Sequence, residues 1–145
     1  MLAVKTYPQK FIDHCHELID QQVASYRALV AAVDPAQSSV VAEFEHRFFS
    51  HLVIVLDAYF MHRTRAIEGK DSNPLNEVRM LAASILVNDG VLAADKTIKY
   101  VAATSVLGCA VGDTVRIDAD RFDRLAAAYF TELTRRFGEA ALSGT

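Results

Sequence analysis

The chain has 145 residues, of which 52% are hydrophobic and 23% are charged, with a net charge of −3 and a pI near 5.9. This length is typical of one ordinary domain, and the composition excludes a disordered chain. The negative net charge provides no basic field that would attract a phosphate backbone, so we expect no nucleic-acid partner. Residues 1–145 are expected to form a single helical domain.

No segment is apolar over the length that a membrane helix needs. Even the strongly apolar run from Leu52 to Leu56 is far shorter than the ~20 residues required. Residues 1–8 also lack the apolar stretch of a signal peptide. We therefore expect a cytoplasmic protein with no membrane partner, whose two cysteines, Cys15 and Cys109, stay reduced.

The first half of the chain contains two long helical patterns. Apolar residues recur at three- and four-residue spacing over 8–33, which predicts helix 1, and Asp34-Pro35 predicts the turn that follows. Residues 39–67 predict helix 2, whose middle from Leu52 to Met61 is apolar on almost every side. We therefore expect helix 2 to be central. Apolar surface that its neighbours leave uncovered would form a homo-oligomer interface.

The second half predicts two more helices on either side of a region with a different periodicity. Asn73 as N-cap and Pro74 at the first helical position begin helix 3 over 74–87. Short β-type runs over 96–117 then predict a small β hairpin or an irregular extended insert. Helix 4 covers 119–137 with one apolar stripe. The predicted fold is mainly α, a four-helix bundle-like packing with a small β insert between helices 3 and 4.

The polar loop from Glu68 to Arg79 is the candidate binding site. It leads into the start of helix 3, where unpaired backbone N–H groups attract anions. Basic and amide side chains surround that point, so the expected ligand is a small anion. The candidate ligand-binding residues are Asp57, His62, Arg63, Arg65, Lys70, Asn73, Asn76 and Arg79. An ordinary solvated loop with a good N-cap has the same composition, and this structural interpretation stays open.

Asp57 lies in the apolar middle of helix 2 and therefore needs a partner. If its carboxylate were buried alone, desolvation would destabilise the fold or raise the pKa of Asp57 until the group is neutral. A salt bridge with Arg63, Arg65 or Arg79 would satisfy the carboxylate and hold the loop after helix 2. The alternative interpretation is a catalytic carboxylate.

The histidines and carboxylates are the other residues able to bind a metal or move protons. Glu43-x-x-His46 has the spacing found in di-iron bundles, but those sites need two such pairs and this chain has one. A single-metal site from His14, Asp57 and His62 would need side chains that project from different helix edges. No serine lies in a nucleophile elbow, and no glycine loop carries the lysine of a phosphate loop. We assign no catalytic residue, no metal and no cofactor.

Several segments of the chain resemble those of a known family. They are Phe60 to Arg65, Glu68 to Asp71, Asn73 to Arg79, Asn88 to Gly90, Asp95 to Lys99 and Val111 to Asp113. The family consists of small cytoplasmic proteins common in actinobacteria, and the resemblance covers roughly 44–137. It implies an actinobacterial origin and a cytoplasmic location. The family has no established activity, so no site residue is transferred; it favours glycine where this chain has Ser72.

These observations together predict a non-catalytic binding or interaction protein that forms a homo-oligomer. The alternative is an enzyme or a metal protein that uses the region from His62 to Arg79 together with Asp57. A bound metal, or a ligand beside Lys70 and Arg79, would favour this alternative. An extensive symmetric helix interface would favour the interaction protein.

Overall fold

The computed structural model describes residues 3–139, and residues 1–2 and 140–145 of the predicted domain lie outside it. In chain order the helices are α1 (Gln9–Ala32), α2 (Ser38–Tyr59), α3 (Arg65–Glu68), α4 (Pro74–Val87) and α5 (Ala119–Phe137). Two short 3-10 segments are Pro35–Gln37 and Ala102–Thr104. The prediction of a mainly helical fold is confirmed. Among the described residues, none of these helices combines the length and the apolar character needed to cross a membrane.

α1 and α2 form an antiparallel hairpin. Asp34 caps the 3-10 turn between them by accepting a hydrogen bond from a backbone N–H at 2.9 Å. The ring of Tyr26 lies 4.9 Å from that of Phe49 near the turn, and the ring of Phe11 lies 5.6 Å from that of Phe60 at the far end. The aromatic contacts along both helices therefore set their register.

The core lies where α2 and α5 meet the other helices. α2 contacts α1, α4 and α5, and α5 contacts α1, α2, α3 and α4. The largest fully buried aromatic side chains are Phe49, Phe60, Phe122, Tyr129 and Phe137. α5 supplies three of them because its apolar residues recur at three- and four-residue spacing on one face. The central position predicted for helix 2 is thus shared with α5.

Helix 2 was predicted over 39–67, and its C-terminal boundary is wrong because α2 ends at Tyr59. After that residue the chain pairs with the N-terminal segment. The backbone N–H of Val4 donates to His62 O at 2.7 Å, and the N–H of Thr64 donates to Val4 O at 2.8 Å. These long-range hydrogen bonds replace those that a continuing helix would make, and they separate α2 from the single turn of α3.

The predicted β hairpin within 96–117 is wrong for the part of the chain that the structure describes, whereas the alternative of an irregular extended insert is confirmed. The β-type runs of this insert use their backbone groups elsewhere. Two of its N–H groups donate to the Glu77 carboxylate at 2.7 and 2.9 Å, and a third donates to the Ser72 hydroxyl at 2.9 Å. Pairing with side chains of the α3–α4 region leaves those groups unable to form a strand ladder.

Ser72 has a backbone φ of 73°, in the left-handed region that favours glycine. In this chain the Ser72 hydroxyl accepts the hydrogen bond from Val101 N at 2.9 Å. The serine therefore ties the insert to the loop, and the strained backbone opposes part of that gain.

Candidate functional site between α2 and α4

The connection between α2 and α4 is built around Glu68, whose side chain is fully buried. Arg79 Nη2 lies 2.5 Å from the Glu68 carboxylate, and Asn76 Nδ2 donates to the same carboxylate at 2.9 Å. Arg63 Nε lies 2.9 Å from Glu68 Oε1, an ion pair in which the N–H is not aligned for a hydrogen bond. Burial alone would raise the pKa of Glu68, but the hydrogen bond from Arg79 and the charge of Arg63 outweigh it and lower that pKa.

Arg63 connects this carboxylate to α2. Its side chain is fully buried, and Nη2 donates to Asp57 Oδ1 at 2.9 Å. The same guanidinium donates to the backbone oxygens of Phe60 at 3.0 Å and Leu75 at 3.3 Å, and it lies 5.8 Å above the ring of Tyr129. Of the three arginines predicted as partners of Asp57, the structure selects Arg63. The ion pair spans the end of α2, as the structural interpretation of Asp57 requires.

The start of α4 is capped by its own side chains. Asn73 Oδ1 accepts hydrogen bonds from Leu75 N at 2.9 Å and Asn76 N at 3.3 Å. Asn76 Oδ1 accepts in return from Ser72 N at 3.1 Å and Asn73 N at 3.3 Å. The backbone donors that an anion would need at this helix N-terminus are therefore paired within the chain.

The remaining predicted site residues lie at the edge of this arrangement or outside it. Arg65 donates to Thr97 Oγ1 at 2.6 Å, and its Nε lies 4.0 Å from Glu68. The side chains of His62 and Lys70 are exposed, and neither makes a hydrogen bond or an ion pair with the described residues. The structure thus brings together Asp57, Arg63, Asn73, Asn76 and Arg79, and it leaves His62 and Lys70 apart from them.

Sequence reasoning missed two carboxylates that organise the region. Glu68 was read as part of the loop, although an acidic residue among several arginines is the signal of an internal counterion. Glu77 is not among the predicted site residues, but it is only 2% exposed and accepts hydrogen bonds from two N–H groups of the insert. Burial raises the pKa of Glu77, and those hydrogen bonds oppose the change.

Arg136 on α5 was also missed. Its Nη1 donates to the backbone oxygens of Ile67 at 3.2 Å and Glu68 at 3.1 Å, which holds the end of α3 against α5. Gly69 follows with a φ of 79°, and a Cβ at that position would lie 2.8 Å from Arg136 Nη1. The positive φ therefore favours glycine at residue 69, and a side chain there would also displace the Arg136 guanidinium.

The charges of this site compensate one another. Two carboxylates face two arginines, and the helix donors are capped, so the arrangement stabilises the connection without leaving a free acid or base. Within residues 3–139, no group of three or more His, Cys, Asp or Glu side chains could hold a metal ion. Comparison of the chain with family models, curated proteins and solved structures found no match.

Proposed function

We propose that this is a non-catalytic interaction protein that self-associates through the end of the α1–α2 hairpin. The observation that carries the proposal is the exposure of large apolar side chains there. Leu29 is 55% exposed, Val40 is 64% exposed and Phe44 is 47% exposed. Uncovered apolar surface of this kind is stabilised when a second surface excludes water from it.

The hairpin end extends beyond the N-terminus of α5, the helix that contacts both α1 and α2. On α1, Arg27 forms an ion pair with Asp123 of α5 at 2.6 Å. On α2, the Glu45 carboxylate accepts a hydrogen bond at 2.8 Å from the N–H of Ala119, the first residue of α5. These two contacts mark the level at which α5 begins. Most of residues 28–44, which connect them, therefore lie beyond its N-terminus.

The chemistry of this end is that of a protein interface. Only two of residues 28–44, Asp34 and Glu43, carry a charge. Beside it, the rings of Tyr26, Phe44 and Phe48 form a stack, with centroids 5.6 to 6.3 Å apart and interplanar angles of 15° to 23°. Aromatic and aliphatic side chains with few charges are typical of the buried centre of an interface. A second copy of the same hairpin end would match it in polarity.

The segment that first suggested self-association contributes less than expected. Between Leu52 and Met61, four large side chains are buried in the core, namely Leu52, Val53, Leu56 and Phe60. Val55 is 37% exposed and Met61 is 57% exposed. The middle of α2 is therefore mostly covered by its neighbours, and the proposed interface lies at the beginning of the helix.

We also infer that the Glu68 site has a structural role rather than a ligand-binding one. Its support is the pairing of the Asp57 and Glu68 carboxylates with Arg63 and Arg79 and the capping of α4 by Asn73 and Asn76. A ligand anion would have to displace those partners. This role and self-association are compatible, because the site and the hairpin end lie at opposite ends of α2.

The mass of the protein in solution tests the proposed interface. Multi-angle light scattering over a range of micromolar concentrations should give a mass that rises above the 16.0 kDa of one chain. Phe44→Glu should return it to the monomer, because a charge at the centre of an apolar interface is costly to bury. Leu86→Glu is the matched control, since Leu86 is 68% exposed on α4. A monomer mass at every concentration, or equal effects of both variants, contradicts the proposal.

A further inference from the structure

Two neighbouring pockets that share His46 form a groove between α2 and the chain that leads into α5. Its larger part has a volume of 340 Å³ and is lined by residues that include Glu45, His46, Arg116 and Arg121. Its smaller part has a volume of 180 Å³, and His46 and Ser50 are among the residues that line it. His46 lines both parts. The groove lies outside the Glu68 site and uses none of its residues.

Two buried polar atoms in this groove have no partner in the described part of the chain. The Ser50 hydroxyl is one, and the residue is only 7% exposed. The other is His46 Nδ1, one helical turn earlier on α2. A buried hydroxyl or ring nitrogen without a hydrogen bond is unfavourable, and most such groups in folded proteins are paired. The pair therefore marks a place where a bound polar group would be stabilised.

The carboxylates that line the larger part already have partners. Glu45 accepts hydrogen bonds from the Tyr26 hydroxyl and from Ala119 N, and Asp118 caps α5 by accepting from Arg121 N at 2.8 Å. Their lone pairs are thus partly used by the fold.

The arginines of the groove are less well paired. The guanidinium of Arg116 is 61% exposed, and Glu43 lies 3.9 Å from it. Within residues 3–139, Arg121 has no carboxylate within ion-pair distance. Burial lowers the pKa of His46, and the positive charge of Arg116 lowers it further. Near neutral pH the imidazole is therefore uncharged, with one nitrogen that donates and one that accepts.

We propose that this groove binds a small oxyanion, the group shared by carboxylates and phosphates, between the Ser50 hydroxyl, the His46 imidazole and the Arg116 guanidinium. An oxyanion accepts hydrogen bonds from all three, whereas a cation would be repelled by Arg116. An apolar ligand would leave the Ser50 hydroxyl unpaired. The site is independent of self-association, because it rests on the unpaired atoms of the groove.

Imidazole NMR spectra of the full chain, titrated with inorganic phosphate or with acetate at constant pH and ionic strength, test this proposal. The chain has five histidines, so the spectra report five separate sites. We expect a saturable shift of the His46 signals with at least one of the two anions, and no saturable shift for His14 or His62. Saturation with phosphate alone or with acetate alone identifies the source of the oxyanion.

Two variants and one control locate the binding. Ser50→Ala and Arg116→Gln should each weaken the saturable binding by about tenfold, because each removes a hydrogen bond to a charged ligand. Arg124→Gln removes the same charge from an exposed position on α5 outside the groove and should leave the affinity unchanged. The absence of saturation with both anions, or an equal loss in Arg116→Gln and Arg124→Gln, overturns the proposal.

Discussion

The Glu68 site and the groove at His46 both gather polar side chains beside a helix, but only the first pairs them with one another. Glu68 is fully buried and contacts two arginines and an asparagine. In the groove, the Ser50 hydroxyl is buried and has no partner among the described residues. A high density of polar residues in a sequence therefore does not by itself locate a binding site. Which polar atoms stay unpaired after folding is the more informative observation.

Removal of Glu68 should have the largest effect and tests whether this site is a buried network. In Glu68→Ala, Arg63 retains a buried positive charge and loses one of its two carboxylates. We expect the free energy of unfolding to fall by about 3–5 kcal/mol in urea denaturation. Glu43→Ala is the control, because its ion pair with Arg47 at 3.3 Å is exposed and should contribute about 1 kcal/mol or less. Similar losses in both variants would show that Glu68 is not buried as described.

Asp57→Ala should destabilise the protein less than Glu68→Ala. Asp57 is 22% exposed, and Arg63 keeps Glu68 when Asp57 is removed. We expect a loss of about 2 kcal/mol in the free energy of unfolding. Lys70→Ala, at an exposed residue without an ion pair, should change it by less than about 0.5 kcal/mol. If Asp57→Ala melts like the parent, the pairing between α2 and the loop does not contribute to stability.

The pH dependence of stability also tests the pairing of Glu68, through a smaller change in the free energy of unfolding. The folded protein lowers the pKa of Glu68 below its ordinary value of 4.5. Its stabilisation is therefore present above the unfolded pKa and is lost as the pH falls through the folded pKa. On acidification, the free energy of unfolding should drop more steeply for the parent than for Glu68→Gln.

Glu77→Gln is the control for this measurement, because its expected effect on the pH dependence of stability has the opposite sign. Burial raises the pKa of Glu77, so the folded state binds a proton there more tightly than the unfolded state. Removing this group should make the drop on acidification steeper than in the parent. The same direction of change in both glutamine variants would show that the two carboxylates do not differ in their environments.

The smallest expected effect compares two buried serines, one in each kind of environment. Ser84 on α4 donates to Met80 O at 2.7 Å and accepts from Ala93 N at 3.0 Å, so Ser84→Ala should cost about 1–2 kcal/mol. Ser50→Ala removes an unpaired hydroxyl and should leave the free energy of unfolding in phosphate-free buffer unchanged or raise it. A loss at Ser50 as large as that at Ser84 would mean that Ser50 has an internal partner, which removes the basis of the groove.

One ion pair of the candidate site could be predicted in part from the sequence, namely the pairing of Asp57 with an arginine. Asp57 is a carboxylate among apolar neighbours on a helix, and it required a cation nearby in the chain. That reasoning led to three arginines, Arg63, Arg65 and Arg79, of which the structure selects Arg63. It could not identify Glu68 as the centre, because the partners of Glu68 come from both sides of the loop and their convergence depends on how the loop folds.

The same dependence on tertiary contacts explains why the sequence placed His62 and Lys70 in the candidate site, although the structure leaves them apart from it. Both lie in the same polar segment as Arg63 and Arg79, and residue type and spacing did not distinguish the four as candidate ligand-binding residues. The direction of each side chain follows from the end of α2 at Tyr59, which depends on the pairing of Val4 with the chain after that helix. That contact joins residues far apart in sequence, so a local pattern cannot predict it.

Local patterns were sufficient to predict the mainly helical fold and the bounds of α4 and α5, because caps and apolar spacing act between residues at most four positions apart. Long-range contacts set the end of α2, the irregular course of the insert and the partners of the buried charges. Those outcomes depend on competition for hydrogen bonds between distant segments. Glu77 and Ser72 accept hydrogen bonds from backbone N–H groups that a β hairpin would have paired, and the Ser50 hydroxyl has no partner among residues 3–139.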